Sequence, residues 1–293
     1  MSLAETTSGP RIRRGSTAYL RSRPAGEAAA FGMKTYGRVR GASNPLRRMP
    51  RIVRCAVAAI ALCAIALACF VGANAQADDA ALQEAIAADV HADASDITAS
   101  WNAADAKSGY AQAVLQLPAW PSGCEPASLA YALNRLGIDA SIEDVISVLD
   151  FDPEFTDYVY HYAGDPAESG SAYAPVMTRA ANDSIAAAGF DGRYQAFNIT
   201  GTSFEDLRSL VEAGAPVLAW VTTDLQDPLF SDYSIYGYPF VKNNHCVSVY
   251  SIDDDTVVAM DPLEGFVSYD AETFAAVYEA RGCMALAIAP VLS

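Results

Sequence analysis

From Ser108 to Ser293 the hydrophobic spacing changes period along the chain, and the order of that change constrains the fold more than any single residue does. Leu129, Leu133 and Leu136, stopped by Gly137, predict a helix over Glu125–Leu136. A second helix is predicted over Ser141–Leu149, with Ser141 as cap and Asp144 three positions on. A third spans Pro175–Ala188 and closes at Gly189. After a strand-like run, Tyr194–Ile199, Ser203 caps a helix with Phe204, Leu207, Leu210 and Val211 on one face and Gly214 at its end. Strand-like runs then dominate: Pro216–Thr222, Cys246–Ile252 and Thr256–Met260, the last two joined by the Asp253-Asp254-Asp255 turn. A helix over Ala271–Arg281 and a strand over Met284–Ala289 complete the set. Helices first and antiparallel strands later is an α+β pattern, and residues 108–293 suffice for one buried core.

The chain ahead of Ser108 reads differently. Residues 1–48 are rich in Arg, Gly, Ser and Pro without periodicity, a basic extension expected to be disordered. Residues 55–71 are uninterruptedly apolar, flanked by Arg51 and Arg54 and followed by Gly72-Ala73-Asn74-Ala75-Gln76. That is the layout of a secretory signal over 49–75, with translation starting at Met33 or Met49. The alternative is an uncleaved anchor at residues 55–73, the one membrane contact expected. Both readings export the body, as a secreted or cell-surface protein. Residues 76–107, Ala/Asp-rich, are expected to form a linker, with a short polar helix at Ala80–Val90 and His91 as a surface residue.

The net charge of −16 is unevenly divided. Residues 1–75 carry twelve Lys/Arg against Glu5 and Glu27, and the remainder carries seven against 33 acids. A body that acidic repels phosphate, which excludes nucleic acid as a partner. Solubility accounts for the acidity. Beyond the signal only Cys124, Cys246 and Cys283 remain, an odd number that leaves at least one thiol unpaired. With no CxxC pair and no cluster of histidines, neither metal nor other cofactor is expected.

The residues with chemistry in them are few. Gln116 opens a Pro/Gly-rich approach that ends in Ser122-Gly123-Cys124, where the first helical run begins. A helix N-terminus favours the thiolate, the nucleophilic form of cysteine. A lone cysteine beside apolar helix positions is ordinarily core, but Gly123 ahead and Glu125-Pro126 behind indicate a sharp turn instead. Of three histidines, His245 alone opens a strand, where a rigid backbone can hold its ring against the sulfur. Asp261 ends the next strand, before Pro262, where antiparallel pairing can bring its carboxylate to the second imidazole nitrogen. Asp261 is equally a turn former, and spacing does not choose between the two. Gln116 offers a neutral amide to a developing oxyanion, together with the Cys124 N–H. The aromatic stretch from Asp224 to Phe240 either walls the cleft or tucks onto the core.

Cysteine, then histidine, then an acid is the order of papain-like hydrolases. The Gln116–Leu129 segment resembles the nucleophile motif of the bacterial double-glycine-leader-peptidase-like proteins, stand-alone relatives of bacteriocin-processing cysteine peptidases exported in many Gram-positive bacteria. Gly164-Asp165-Pro166, Gly214 to Trp220, Asn244-His245 and Met260 to Gly265 are similar to further segments of that family. Cys246 departs from it, standing where a plain aliphatic is expected. The resemblance implies a papain-like fold, with an N-terminal helical part carrying the nucleophile and a C-terminal antiparallel sheet carrying His245 and Asp261. It also implies Cys124, His245 and Asp261 as triad, Gln116 at the oxyanion hole, and a peptide or protein as substrate. A monomer is expected. The same triad serves acyl transfer of the transglutaminase kind, and a non-catalytic surface binding domain is the remaining alternative.

Overall fold

The computed structural model describes residue 86, residues 89–104 and residues 107–291. The chain divides into two units, Met1–Ile65 and Ala66–Ser293, and every described residue belongs to the second. The basic extension, the signal segment and most of the helix expected at Ala80–Val90 lie outside the described residues.

Helix α1 spans Ala94–Ala103, inside the stretch expected to be a linker. Ile97 and Trp101 are buried, and the indole N–H of Trp101 donates to Ile288 O at 2.8 Å. At least this part of residues 76–107 is therefore domain, not stalk. Two large apolar side chains one turn apart on one face explain why: in water they would have nothing to cover them. His91 is exposed, as expected, and its Nε2 lies 3.1 Å from Asp89.

Helix α2, Cys124–Arg135, is buried along almost its whole length. Leu129 and Leu133 are at 0% exposure, each worth about 1.5–3 kcal/mol of burial. Gly137, at φ +77°, turns the chain away, and Ile138 N returns to Leu133 O at 3.1 Å, the hydrogen-bond pattern of a glycine-terminated helix. Helix α3 is shorter than its apolar spacing predicts, Ile142–Ile146, although the Ser141–Asp144 capping box forms as expected. Three short strands follow: β1 (Phe151–Asp152), β2 (Tyr162–Gly164) and β3 (Gly170–Ser171), a small sheet between the second and third predicted helices, where no strand was expected. Helix α4 (Ala174–Ala187) and strand β4 (Tyr194–Asn198) match expectation. So does α5 (Phe204–Ala213), capped by Ser203 and ended by Gly214 at φ +103°.

The remaining strands are β5 (Val217–Thr222), β6 (Phe230–Ile235), β7 (Tyr238–Val241), β8 (Asn244–Ile252), β9 (Thr256–Asp261), β10 (Gly265–Asp270) and β11 (Ala285–Pro290), with helix α6 (Ala271–Ala280) before the last. The main sheet is six-stranded and antiparallel throughout, in the order β10-β9-β8-β5-β11-β4. Every residue of β5 is buried, as are residues 245–249 of β8, so helices cover both faces of the sheet centre. Helix α2 packs across β8, β5 and β9, which sets the start of that helix beside the strand ends that carry His245 and Asp261. This is the α+β arrangement expected, a helical first part against a later antiparallel sheet.

Candidate active site

The start of α2 is built by close approaches that only particular residues allow. Gly123 occupies the N-cap, and a Cβ there would fall 2.7 Å from Trp120 Cβ. Gly123 N donates to Trp120 O at 2.9 Å, and Trp120 N to Gln116 O at 2.8 Å. Ser122 N donates to Pro166 O at 3.0 Å, anchoring the turn to the Gly164-Asp165-Pro166 segment. Cys124 is the first residue of the helix, and its N–H has no intrahelical acceptor. Pro126 sits in the same first turn, where a missing N–H costs nothing. The Glu125-Pro126 pair therefore continues the helix rather than bending it.

His245 is the second residue of β8, opposite Val221 of β5. Continuing the β8–β9 register past Ser248↔Met260 sets Asp261 across from Val247, two residues from His245 and on the same face. His245 Nε2 lies 3.0 Å from Asp261 Oδ2. That oxygen also accepts from Tyr269 Oη at 2.6 Å, and Oδ1 accepts from Leu263 N at 2.7 Å. Burial works to raise the Asp261 carboxyl, but the His245, Tyr269 and Leu263 hydrogen bonds outweigh it and hold the group below the usual carboxylate range. With Asp261 on Nε2, the proton of neutral His245 sits there and Nδ1 keeps its lone pair.

Cys124, His245 and Gln116 line one cleft of ≈250 Å³, with Glu125, Asn244 and Leu263 among their neighbours, and Asp261 stands behind His245. A larger hollow, ≈800 Å³, lies by His91, Asp93 and Asn198 and holds none of these groups. The aromatic stretch serves in both ways considered for it. It forms a β6–β7 hairpin whose Phe240 and Val241 wall the cleft and whose Ile235 and Tyr238 pack against the core, while Phe230, Tyr233 and Tyr236 are exposed. Gln116 is buried; its Nε2 donates to Pro121 O at 2.8 Å, leaving a second N–H, and its Oε1 has no partner. Gln116 N donates to Pro262 O at 2.9 Å, tying the approach loop to the end of β9.

The sulfur has a hydrogen-bond partner other than the imidazole. Cys124 Sγ donates to Glu125 Oε2 at 3.1 Å, and among the described residues no hydrogen bond joins it to His245. Burial, then the Glu125 charge, then Cys246, then the hydrogen bond to Glu125 push the thiol well above its ordinary value, against a lowering contribution from the Cys246 N–H. In this state the nucleophile candidate is a thiol, not the thiolate that a helix N-terminus alone favours. All three described cysteines are free, so no disulfide locks the sulfur.

Four polar residues of the site were not foreseen. Glu125 is at 0% exposure; its Oε1 accepts from Ala172 N at 3.0 Å and from Asn244 Nδ2 at 3.1 Å. Asn244 Oδ1 accepts from buried Arg281 at 2.7 Å, and the guanidinium lies 5.3 Å from the Tyr173 ring centroid. The fourth is Tyr269, on β10, a strand absent from the sequence reading. Two carried a usable signal: Glu125, a charge amid apolar helix positions next to the cysteine, and Asn244, which stands in the Asn244-His245 segment of the family resemblance.

Residues 108–286 match the family described as Peptidase_C39 like. No curated protein matches the chain. Among solved structures, a Bacillus anthracis protein described as a C39-like peptidase is 24% identical, with a TM-score of 0.54 over 64% of this chain and 99% of that one, a likeness of fold. Two more share 15% identity at a TM-score of 0.37. One is a double glycine motif protease from an AMS/PCAT transporter in complex with the leader peptide, covering 64% of this chain and 94% of its own. The other is the peptidase domain of Streptococcus ComA, an ABC transporter involved in quorum sensing, at 62% and 98%.

Proposed function

Because the chain belongs to the Peptidase_C39 like family and is a cysteine peptidase, we propose that it cleaves peptide bonds with Cys124 as nucleophile, His245 as general base and Asp261 as the acid that orients it. The observation that carries this reading is the 3.0 Å contact between His245 Nε2 and Asp261, made behind a cleft that Cys124 and His245 line together. That contact leaves Nδ1 of His245 as the free base.

The reaction follows from those positions. His245 Nδ1 takes the Cys124 proton as Sγ attacks the substrate carbonyl. The oxygen gains charge as the tetrahedral intermediate forms, and the N–H of Cys124 and the second N–H of Gln116 Nε2 are the donors offered to it. His245 then gives its proton to the leaving amine, and water, deprotonated by the same imidazole, releases the acyl group from sulfur. Asp261 stabilises the imidazolium at both steps without taking the proton. The substrate is a peptide or protein, as membership of a peptidase family supports. The place of action in this proposal is outside the cell, supported by the apolar run at 55–71 and the small-residue site at Ala75–Gln76.

Cleavage of a peptide library by wild type, with no product from Cys124→Ala or His245→Ala, is the expected result. Undiminished cleavage by either variant sinks the assignment. N-terminal sequencing of the secreted protein is expected to begin at Gln76.

A further inference from the structure

The sulfur faces a partner that the proposed reaction does not use. Glu125 is fully buried directly beside Cys124, and every one of its contacts is specific. Oε1 is taken up by two N–H donors, Ala172 N and Asn244 Nδ2, while Oε2 receives the Cys124 S–H. Behind Asn244 stands Arg281, at 3% exposure, with Nε and Nη1 unpartnered and Nη2 on Asn244 Oδ1. The side-chain amide thus bridges a buried cation to a buried anion. Arg281 is a buried cation that feels the Glu125 charge across that bridge, while burial still pushes the Glu125 carboxyl up.

We infer that Glu125 is a positioning residue that latches Cys124 at rest as a protonated thiol bonded away from His245, and that the nucleophile arms only when the sulfur leaves Glu125 for His245 Nδ1. The inference rests on the reading of Cys124 as nucleophile. Arming is a rotation about the Cys124 Cα–Cβ bond: the S–H···Oε2 hydrogen bond breaks, the thiol proton passes to His245 Nδ1, and sulfur keeps the electron pair. Glu125 stays in place through Ala172 N and Asn244. Both the Cys124 thiol and the Glu125 carboxyl are pushed up, each by burial first, as fits neighbours that hold one proton between them. The other titratable groups facing Glu125 are Cys246 and His245 of β8, Tyr162 of β2, Tyr173 ahead of α4, and Arg281 after α6. A latched thiol is also slow to oxidise, since the thiolate is the form that oxidants attack.

Glu125→Gln tests this without any substrate. Oε1 must remain the acceptor for its two N–H donors, so the new NH₂ replaces Oε2 and donates to sulfur. The hydrogen bond reverses polarity and now favours the thiolate. Iodoacetamide alkylation of the full chain, read at Cys124 by peptide mass spectrometry across pH, is expected to shift its midpoint down by at least about one unit, making labelling near neutrality about tenfold faster. An unchanged or raised midpoint in the folded variant overturns the latch. If Glu125→Gln does not fold, wild type and His245→Ala decide: the latch requires a wild-type midpoint above that of a free thiol, about 8.5, and unmoved by His245→Ala. A wild-type midpoint at or below that of a free thiol overturns it. Loss of peptide cleavage is a separate readout, so failure of the peptidase reading and failure of the latch remain distinguishable.

Discussion

Replacing Asp261 with Asn keeps size and shape yet inverts the hydrogen-bond logic behind His245. Oδ1 of Asp261 accepts from Leu263 N at 2.7 Å, and a backbone N–H cannot turn away. If the new amide put its NH₂ there, two donors would face each other in a buried site, at a cost of about 1–3 kcal/mol. The amide oxygen therefore stays on Leu263, and the NH₂ takes the place of Oδ2, between His245 Nε2 and Tyr269 Oη. Tyr269 adapts by rotating its hydroxyl to accept. His245 adapts by moving its proton from Nε2 to Nδ1, the nitrogen meant to receive the thiol proton. A base with the wrong tautomer, and no carboxylate to stabilise its charged form, costs about 10⁴ in kcat, or roughly 5.4 kcal/mol of barrier. Loss of charge-assisted hydrogen bonds also lowers stability by about 1–2 kcal/mol, roughly 2–8 °C in Tm for a domain this size. A loss of that size is expected to leave the variant folded at 25 °C, so activity and folding are read separately. Peptide hydrolysis and the ¹⁵N chemical shifts of the His245 ring are the assays. A variant within tenfold of wild type, or one whose Nδ1 remains unprotonated, refutes the reasoning.

Gln116→Ala is expected to lower kcat by about 10²–10³ with KM little changed, as an oxyanion donor does; an equal rise in KM would make Gln116 a ground-state binder instead. Trp101→Ala is expected to cost about 3–5 kcal/mol in urea unfolding, because a buried indole and its hydrogen bond to Ile288 O are lost together; a change under 1 kcal/mol would make α1 an appendage. The Asp157–His161 pair, 3.1 Å apart, predicts a pH window. Hydrogen bonds from His161 and from Tyr160 and Val159 N–H groups overcome burial and hold Asp157 below the usual range, so its stabilisation is present above about pH 3.9 and lost as pH falls through the folded value. The hydrogen bond to Asp157 raises His161, so its stabilisation is present below about pH 6.5 and lost as pH rises through its raised value. The Tm difference between wild type and His161→Gln is therefore expected to peak near pH 5 and to shrink by pH 8.5; a constant difference refutes the pair's role.

The elements that were legible are those whose signals are local. Ser141 with Asp144, Ser203 before Phe204 and Gly214 after Ala213 each carry a cap whose chemistry is written within a few residues, and those helix ends fell where expected. The elements that were not legible depend on distant partners. Strand β10 has alternating burial, Gly265 to Asp270, and is a strand only because β9 lies beside it. The strands β1, β2 and β3 are two or three residues long, below the length at which periodicity exists. Helix α1 was hidden by composition: an Ala/Asp-rich stretch reads as solvated until Ile288, 187 positions from Trp101, supplies the other half of its hydrogen bond.

The same distinction runs through the site. Cys124 was legible as a candidate because a helix start is a local event, and His245 because it opens a strand. Spacing left Asp261 open between orienting acid and turn former, and only the paired strands set it 3.0 Å from His245. What the cysteine bonds to is not local. Glu125 sits next to it in sequence, but its meaning comes from Ala172, Asn244 and Arg281, drawn from three other parts of the chain. A glutamate in the first turn of a helix is ordinarily a solvated residue that favours the dipole. Here the sheet end closes over it, and burial turns an unremarkable charge into the group that decides where the sulfur's proton rests. Reading that residue correctly requires the electrostatics of the assembled core, because the same carboxylate in water would leave the thiol free to ionise against His245.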